Sequence, residues 1–152
     1  MTLTVNKLSI DVFQHGTEDK DKIFSGLKHL FPENLQSDVE TFFKSDRIEG
    51  YYKNEIIKYY AEFHKKKSTQ ELFIYIITQL LNSTPYYDLF DRISESGELF
   101  IRLNKQALIQ NNQYKIDSSS DVYKIVIKFL FFNKKIDKIT EIYDYLQSLI
   151  QE

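Results

Sequence analysis

Several residue types on which common enzymes depend are scarce in this chain. There is no cysteine, so disulfides and thiolate zinc sites are excluded, which is typical of proteins from a reducing compartment. The four glycines stand far apart, so there is no glycine-rich phosphate loop, and no nucleophile elbow is found. We therefore predict a protein that is not an enzyme, with no catalytic residues and no cofactor.

Long apolar runs are also missing. The most hydrophobic segment, residues 125–132, is interrupted by Lys128 and is far shorter than the roughly 20 residues that a membrane-spanning helix needs. The first seven residues lack the apolar run of a signal peptide. We expect a soluble, cytoplasmic protein that does not associate with membranes.

Only three histidines are present, and they are dispersed along the sequence at His15, His29 and His64. His15 has Glu18 and Asp19 nearby, but these carboxylates suit the first turn of a following helix, where the helix dipole favours negative charge. We therefore predict no metal site. A hydrolase would be favoured only if folding brought His15, Glu18 and a distant acid into one cleft.

The length and composition suit one compact domain. The chain has 152 residues, of which 42% are hydrophobic and 15% aromatic, enough for one substantial core but short for two. We expect a single domain over residues 1–152. The net charge is only −2, yet residues 98–138 carry eight Lys/Arg against four Asp/Glu. A local basic face could therefore contact RNA, although the whole chain is not basic.

Hydrophobic periodicity predicts a strand, a helix and a hairpin in the first part of the chain. Alternating apolar residues indicate a strand at 8–13, and Thr17 is the predicted N-cap of a helix that Pro32 ends. Alternation at 39–43 and again at 57–63 indicates the two strands of a hairpin.

The second part alternates between helices and strands. Ser68 and Glu71 form a predicted capping box at the start of a long buried helix. The elements expected after it are a short helix from Pro85 that stops at Gly97, a strand at 99–104, a turn at 111–113, a strand at 122–132 and an amphipathic helix at 136–150. This order predicts an α+β single domain, with a mostly antiparallel sheet and helices packed on one face.

Residues 99–107 begin with side chains that alternate strictly between the two faces of a strand and continue into a polar cluster. Leu99, Ile101 and Leu103 fall on one side of the predicted strand, so Arg102 stands on the opposite, wetter side. Lys105 and Gln106 follow at the strand's end, where a core would gain nothing from them. A cation and an amide at this position can bind a phosphate group and hydrogen-bond to a base edge, respectively. A solvated face followed by a turn is the alternative interpretation.

The strand at 122–132 carries a second pair of candidate cations. Ile125, Ile127 and Phe129 share one face, so Lys124 and Lys128 point the other way, roughly 13 Å apart by strand rise. That spacing suits backbone phosphates, although lysines also keep a sheet face soluble. The candidate RNA-binding residues are Arg102, Lys105, Gln106, Lys124 and Lys128.

Two further features have both a functional and a structural interpretation. The run Lys65–Lys67 is typical of a solvated loop, and would form a binding surface only beside basic residues of other elements. Tyr51 and Tyr52, next to Lys53, could stack on bases or could cover one end of the core.

Three segments resemble an archaeal family of RNA-binding proteins that includes predicted exosome subunits. They are His15–Asp19, Arg47–Asn54 and Leu99–Ala107, in the family's order, and the resemblance spans nearly the whole chain. The family is similar in fold to a large-subunit ribosomal protein that binds a small ribosomal RNA. Gly16 stands where alanine is common in the family, and Asn104 stands where aspartate is common.

The resemblance implies a ribosomal-protein-like α+β domain, an archaeal cytoplasm and no established catalytic activity. Together with the basic block, it predicts a non-catalytic RNA-binding protein that is accessory to RNA processing or degradation. The expected partners are a structured or ribosomal RNA and RNA-processing proteins. The alternative is an interaction module or homodimeric subunit of such an assembly, in which the apolar strand 122–132 pairs at a sheet edge.

Overall fold

The computed structural model describes residues 3–49, 55–133 and 135–150, and these ranges contain one five-stranded sheet and its helices. The strands are β1 Thr4–Gln14, β2 Lys44–Glu49, β3 Glu55–Phe63, β4 Glu98–Asn104 and β5 Val122–Leu130. The α-helices are α1 Lys20–Lys28, α2 Val39–Phe42, α3 Lys66–Leu81, α4 Lys105–Asn111 and α5 Lys138–Ser148, and Glu33–Asp38 and Tyr86–Arg92 form 3₁₀ helices.

All neighbouring strands are antiparallel, in the order β2-β3-β1-β5-β4. The predicted α+β class and antiparallel sheet are therefore confirmed. Within the described ranges, no helix combines the length and apolar character needed to cross a membrane.

One face of the sheet is buried under helices. Along β1, Leu8, Ile10 and Val12 are fully buried, and the side chains between them are only partly covered. Burying alternate residues of a strand in this way leaves its other face for polar side chains. The long helix α3 packs along β1 through side chains that are buried on one stripe, namely Leu72, Phe73, Ile76, Ile77 and Leu80.

Helix α1 approaches β5 closely at a glycine. Tyr123 is fully buried, and its hydroxyl donates a hydrogen bond of 2.7 Å to the carbonyl oxygen of Ile23. A Cβ atom at Gly26 would overlap the phenol ring and hydroxyl of Tyr123. The absence of a side chain at this position therefore allows the helix to lie against the sheet.

Several predicted element bounds are wrong. The hairpin is present, but residues 39–42, predicted as its first strand, are helical. The first strand is instead Lys44–Glu49, in which every residue is exposed, so there is no buried face to produce an alternation of apolar residues. The N-cap of α1 is Asp19, not Thr17, because the Asp19 side chain accepts from the Asp21 N–H. Helix α3 begins at Lys66, so Ser68 is inside its first turn and forms no capping box.

The region after β4 also differs from the prediction. Helix α4 follows β4 without a loop, and the turn expected at 111–113 is the end of this helix, where Asn112 has a φ of 50°. The 3₁₀ helix after Pro85 stops at Arg92, before Gly97.

The apolar strand β5 lies inside the sheet between β1 and β4. Its hydrogen-bonding edges are therefore both used. Pairing of this strand at a sheet edge, which was the basis of the interaction-module alternative, is wrong. The edge strands are β2 and β4.

Candidate nucleic-acid interface

The face of the sheet opposite the buried core, called the open face below, carries most of the predicted cations. It is formed by the outward side chains of β4, β5, β1 and β3. Arg102 of β4 lies directly opposite Lys124 of β5, and Lys124 lies directly opposite Asp11 of β1. Directly opposite side chains on neighbouring strands are in contact range. The prediction that Arg102 and Lys124 share a face is confirmed.

The same region of the open face includes a lysine that sequence reasoning missed. Lys58 of β3 is one of the residues around a shallow pocket of about 220 Å³, together with Arg102 and Lys124. Asp11 lies between these three cations, and Phe13 forms another part of the wall. Lys58 and Asp11 alternate with apolar neighbours in the sequence, so the period-2 rule that identified Lys124 could have found them. We call Asp11, Lys58, Arg102 and Lys124 the sheet cluster.

The carboxyl group of Asp11 is affected by this environment. Burial raises the pKa of Asp11 above its usual value, and the attraction of Lys58, Lys124 and Arg102 opposes the rise. Because the effect of burial is larger, the ionised carboxylate is less stable here than in water. The sheet cluster therefore has three cations and one carboxylate that protonates more readily than usual.

Lys128 lies further along the open face, in a row of charged side chains whose charges cancel. It is directly opposite Lys7 on one side and Glu98 on the other. Lys7 in turn lies 3.8 Å from Glu62. Two neighbouring lysines are therefore flanked by two glutamates across four strands, whereas the sheet cluster has an excess of positive charge.

Lys105 does not lie on the open face. Its side chain is only 5% exposed, and its ammonium nitrogen donates 2.6 Å to the carbonyl oxygen of Phe13. The same nitrogen is 2.6 Å from Asp121 and 3.1 Å from Glu18. The expectation that Lys105 stands free at a strand end is wrong, because a buried ammonium is stable only when its charge is compensated.

His15, Glu18 and Asp121 do converge around this lysine, with potential ligand atoms within 4.8 Å of one another. The His15 ring lies 3.2 Å from Asp121. However, the Lys105 ammonium already bridges both carboxylates, and a metal ion would have to displace it. Engagement by Lys105 also disfavours either carboxylate as the general base of a hydrolase.

Gln106 is separated from the sheet cluster as well. It lines a different pocket of about 330 Å³, between α1 and α4, together with Glu18, Lys22 and Gln110. The Gln110 amide donates 2.8 Å to the Gln106 side-chain oxygen. Of the five predicted contacts, Arg102, Lys124 and Lys128 thus share the open face, and Lys105 and Gln106 do not.

The loop between α4 and β5 is held against the cluster by Asn104. The Asn104 side-chain oxygen accepts from the Ala107 N–H at 2.9 Å and so caps α4, while its amide donates 2.9 Å to Asp117. The pKa of Asp117 is lowered, first by the backbone N–H of Ser119 and then by Asn104. Arg102 also donates 3.4 Å to the Ser119 carbonyl oxygen. These contacts position the loop beside the guanidinium.

An antiparallel sheet with helices on one face and clustered cations on the other defines an α+β domain suited to binding anions. Residues 7–129 match the model of a protein family described as RNA binding. The chain belongs to this RNA-binding family, and the predicted resemblance is confirmed. The tyrosines at 51 and 52, which the sequence offered as base-stacking residues, lie outside the described residues.

Individual relatives are archaeal. The chain is 28% identical to the RNA-binding protein PAB1135 of Pyrococcus abyssi over 144 residues, which cover 91% of each chain. It is similar in structure to Mth689, a DUF54 protein from Methanothermobacter thermautotrophicus, with a TM-score of 0.75 and 20% identity over 97% of this chain and 99% of that one. Protein SSO0741 from Sulfolobus solfataricus has a TM-score of 0.69 and 28% identity over 95% and 100% of the two chains.

Proposed function

We propose that the protein is a non-catalytic RNA-binding protein that holds unpaired nucleotides of a structured RNA on its open face. The observation that carries the proposal is the sheet cluster, in which Arg102, Lys124 and Lys58 surround one carboxylate. Phosphate groups supply the anionic partner that such an excess of cations favours. The planar guanidinium of Arg102 can also bind a phosphate through two hydrogen bonds at once.

Aromatic side chains on the same face favour unpaired bases. Phe13 lines the pocket of the sheet cluster, and Tyr60 lies directly opposite Asp11. Phe100 is half-buried on the open face, two residues before Arg102. Bases of single-stranded segments stack on aromatic rings of this kind, whereas paired bases are not accessible to them. Loops or bulges of a folded RNA therefore fit this face better than a continuous duplex.

The charges around each lysine determine how much we expect it to contribute to phosphate binding. Lys124 and Lys128 each have one cation and one carboxylate directly opposite, namely Arg102 and Asp11 for Lys124, and Lys7 and Glu98 for Lys128. Lys58 adds a third cation beside Lys124, whereas Glu62 adds a second carboxylate in the row of Lys128. We therefore assign Arg102, Lys124 and Lys58 to phosphate binding, and assign Lys128 a smaller contribution. Lys105 acts by positioning the strand ends, because its ammonium is already engaged.

Charge reversal tests the proposal. The double variant Arg102→Glu and Lys124→Glu is titrated with a hairpin RNA that has an unpaired loop, and with the same stem closed as a duplex. We expect at least about a tenfold loss of hairpin affinity, because two phosphate contacts become repulsive. Lys128→Glu is the matched control, with a loss below about threefold. Hairpin affinity equal to that of the unmodified protein in the double variant would contradict the proposal.

An accessory role in an RNA-processing assembly is the second candidate function. Tyr87 is 60% and Phe90 47% exposed, and both belong to an aromatic cluster with Tyr86 and Tyr143. Exposed apolar groups of this size favour a protein partner. The edge strand β2 offers a second surface, but its exposed charges weaken edge pairing. Light scattering distinguishes the two, since a stable dimer or complex that ignores RNA would favour the interaction module.

A further inference from the structure

A pocket of about 530 Å³ lies at the end of β3, away from the sheet cluster, and has an aromatic interior. Phe31, Phe42 and Phe63 form its walls, with ring centroids between 5.7 and 5.9 Å apart. Phe31 is fully buried, while Phe42 and Phe63 are only partly covered. Leu35 and Leu72 complete the apolar lining. A volume of this size is typical of a ligand site rather than of a packing defect.

The rim of this pocket is polar and carries positive charge. His64, Lys65 and Ser68 stand on the rim, and Glu62 is the acidic rim residue. Glu62 is already engaged, because His64 lies 3.2 Å and Lys7 3.8 Å from its carboxylate. The exposed run Lys65–Lys67 begins at the same rim, and within the described ranges none of its lysines forms an ion pair.

We propose that this pocket, the Phe42 pocket, binds a single nucleotide, with the base stacked on the partly exposed rings of Phe42 and Phe63 and the phosphate on Lys65. An apolar ligand without charge would use the rings but not the lysine run. A free phosphate would use the lysine but not the rings. A nucleotide joins a planar ring and an anionic group at the separation of one sugar, so it uses both.

The position of the pocket relates it to the open face, and the inference rests on the proposed function in this respect. Strand β3 passes from Lys58 in the sheet cluster to Phe63 in the Phe42 pocket. The two positions are five residues apart along the strand, which is about 17 Å by strand rise. Phe63 has the parity of the buried Tyr59 and Ala61, so it points to the helix-covered face, opposite Lys58. An RNA held at the sheet cluster would therefore reach this pocket with an unpaired nucleotide that passes around the end of β3.

Adenosine 5′-monophosphate is the probe for the experiment, with adenosine and ribose 5-phosphate as partial probes, and binding is followed by saturation-transfer NMR. We expect Phe42→Ala to weaken AMP and adenosine alike by roughly fivefold or more, since base stacking is lost. Lys65→Gln should weaken AMP but leave adenosine unchanged. Because Phe42→Ala removes core contacts, Ser68→Trp, which fills the mouth of the pocket from its exposed rim, provides a second variant. Tyr87→Ala is the control, an exposed aromatic residue outside the pocket.

The double charge-reversal variant of Arg102 and Lys124 separates this inference from the proposed function. It should still bind AMP with unchanged affinity, even though it binds the hairpin RNA weakly. AMP binding that survives both Phe42→Ala and Ser68→Trp would overturn the nucleotide pocket. Loss of AMP binding in the double charge-reversal variant would also overturn it, because the nucleotide would then lie on the open face. Hairpin binding that is insensitive to charge reversal would instead refute the proposed function alone.

Discussion

Lys105 and Asp121 lie 2.6 Å apart, ammonium nitrogen to carboxylate oxygen, although Asp121 belongs to the loop before β5 and Lys105 begins α4. The same ammonium donates to the carboxylate of Glu18, which precedes α1, and to the carbonyl oxygen of Phe13 at the end of β1. One buried cation thus holds together the ends of β1 and β4 and the start of β5. The sheet cluster lies next to this junction, so its geometry depends on Lys105 without contact between Lys105 and RNA.

Replacement of Lys105 with methionine should destabilise the protein. The side-chain volume is kept, but Glu18 and Asp121 lose their shared cation. We expect the free energy of unfolding to fall by about 2–3 kcal/mol, which is less than for a fully buried ion pair because both carboxylates are partly solvated. Urea denaturation measures the change. The control Lys128→Met, at an exposed position, should stay within about 0.5 kcal/mol. A Lys105→Met protein of unaltered stability would show that the junction is not structural.

The residues of the open face could largely be predicted, because strand periodicity alone determines which side chains share a face. Arg102, Lys124 and Lys128 were placed correctly for this reason. The burial of Lys105 could not be predicted, since its partners are 87 and 16 residues away in sequence and depend on the strand order. Helix α4 was missed because it follows β4 without a loop. The cap at Asn104 was a local signal for this helix.

Asp11 should weaken RNA binding at neutral pH, because its carboxylate lies among the cations that bind phosphate. The variant Asp11→Asn should bind the hairpin RNA about fivefold more tightly, which corresponds to the removal of one nearby like charge in water. Asp38→Asn, which removes an exposed carboxylate elsewhere, is the matched control and should change affinity little. Equal affinity of Asp11→Asn and the unmodified protein would place the phosphates away from the sheet cluster.

The raised pKa of Asp11 also makes both binding and stability depend on pH. A group with a raised pKa in the folded state contributes stability that is present below its unfolded pKa and is lost as the pH rises through the folded pKa. RNA affinity should increase in the same direction, as the pH falls through the folded pKa of Asp11. RNA titrations at a series of pH values between 4 and 7 should show this increase in affinity in the unmodified protein and not in Asp11→Asn.

Asn104 uses both ends of its amide, and an aspartate could reproduce only one of them. In Asn104→Asp the cap of α4 is kept, but the donor to Asp117 is replaced by a second carboxylate. We expect the pKa of Asp117 to rise, as followed by NMR titration of its side-chain carbon. The exchanged pair, Asn104→Asp with Asp117→Asn, restores a donor and should recover the stability of the unmodified protein at pH 7. If the exchanged pair is no more stable than the single variant, the hydrogen bond is not the cause.

Gly26 and Gly16 provide a matched pair of alanine substitutions. A Cβ atom at Gly26 overlaps the buried Tyr123 side chain, whereas one at Gly16 meets, among the residues that the structure describes, the Glu55 carbonyl oxygen at an ordinary contact distance of 3.6 Å. We expect Gly26→Ala to lower the free energy of unfolding by at least about 2 kcal/mol. Gly16→Ala should be neutral or stabilising by up to about 1 kcal/mol. Thermal unfolding of both variants tests the packing of α1 on the sheet, and equal effects would contradict it.

The salt dependence of RNA binding tests the sheet cluster most directly. The logarithm of the binding constant is measured against the logarithm of salt concentration for Arg102→Gln, Lys124→Gln, Lys58→Gln and Lys128→Gln, all with the same hairpin RNA. Each of the first three should reduce the slope by about one unit, since each removes one phosphate contact, and Lys128→Gln should reduce it by much less. Slopes that are unchanged in the first three variants, or reduced most in Lys128→Gln, would contradict the account.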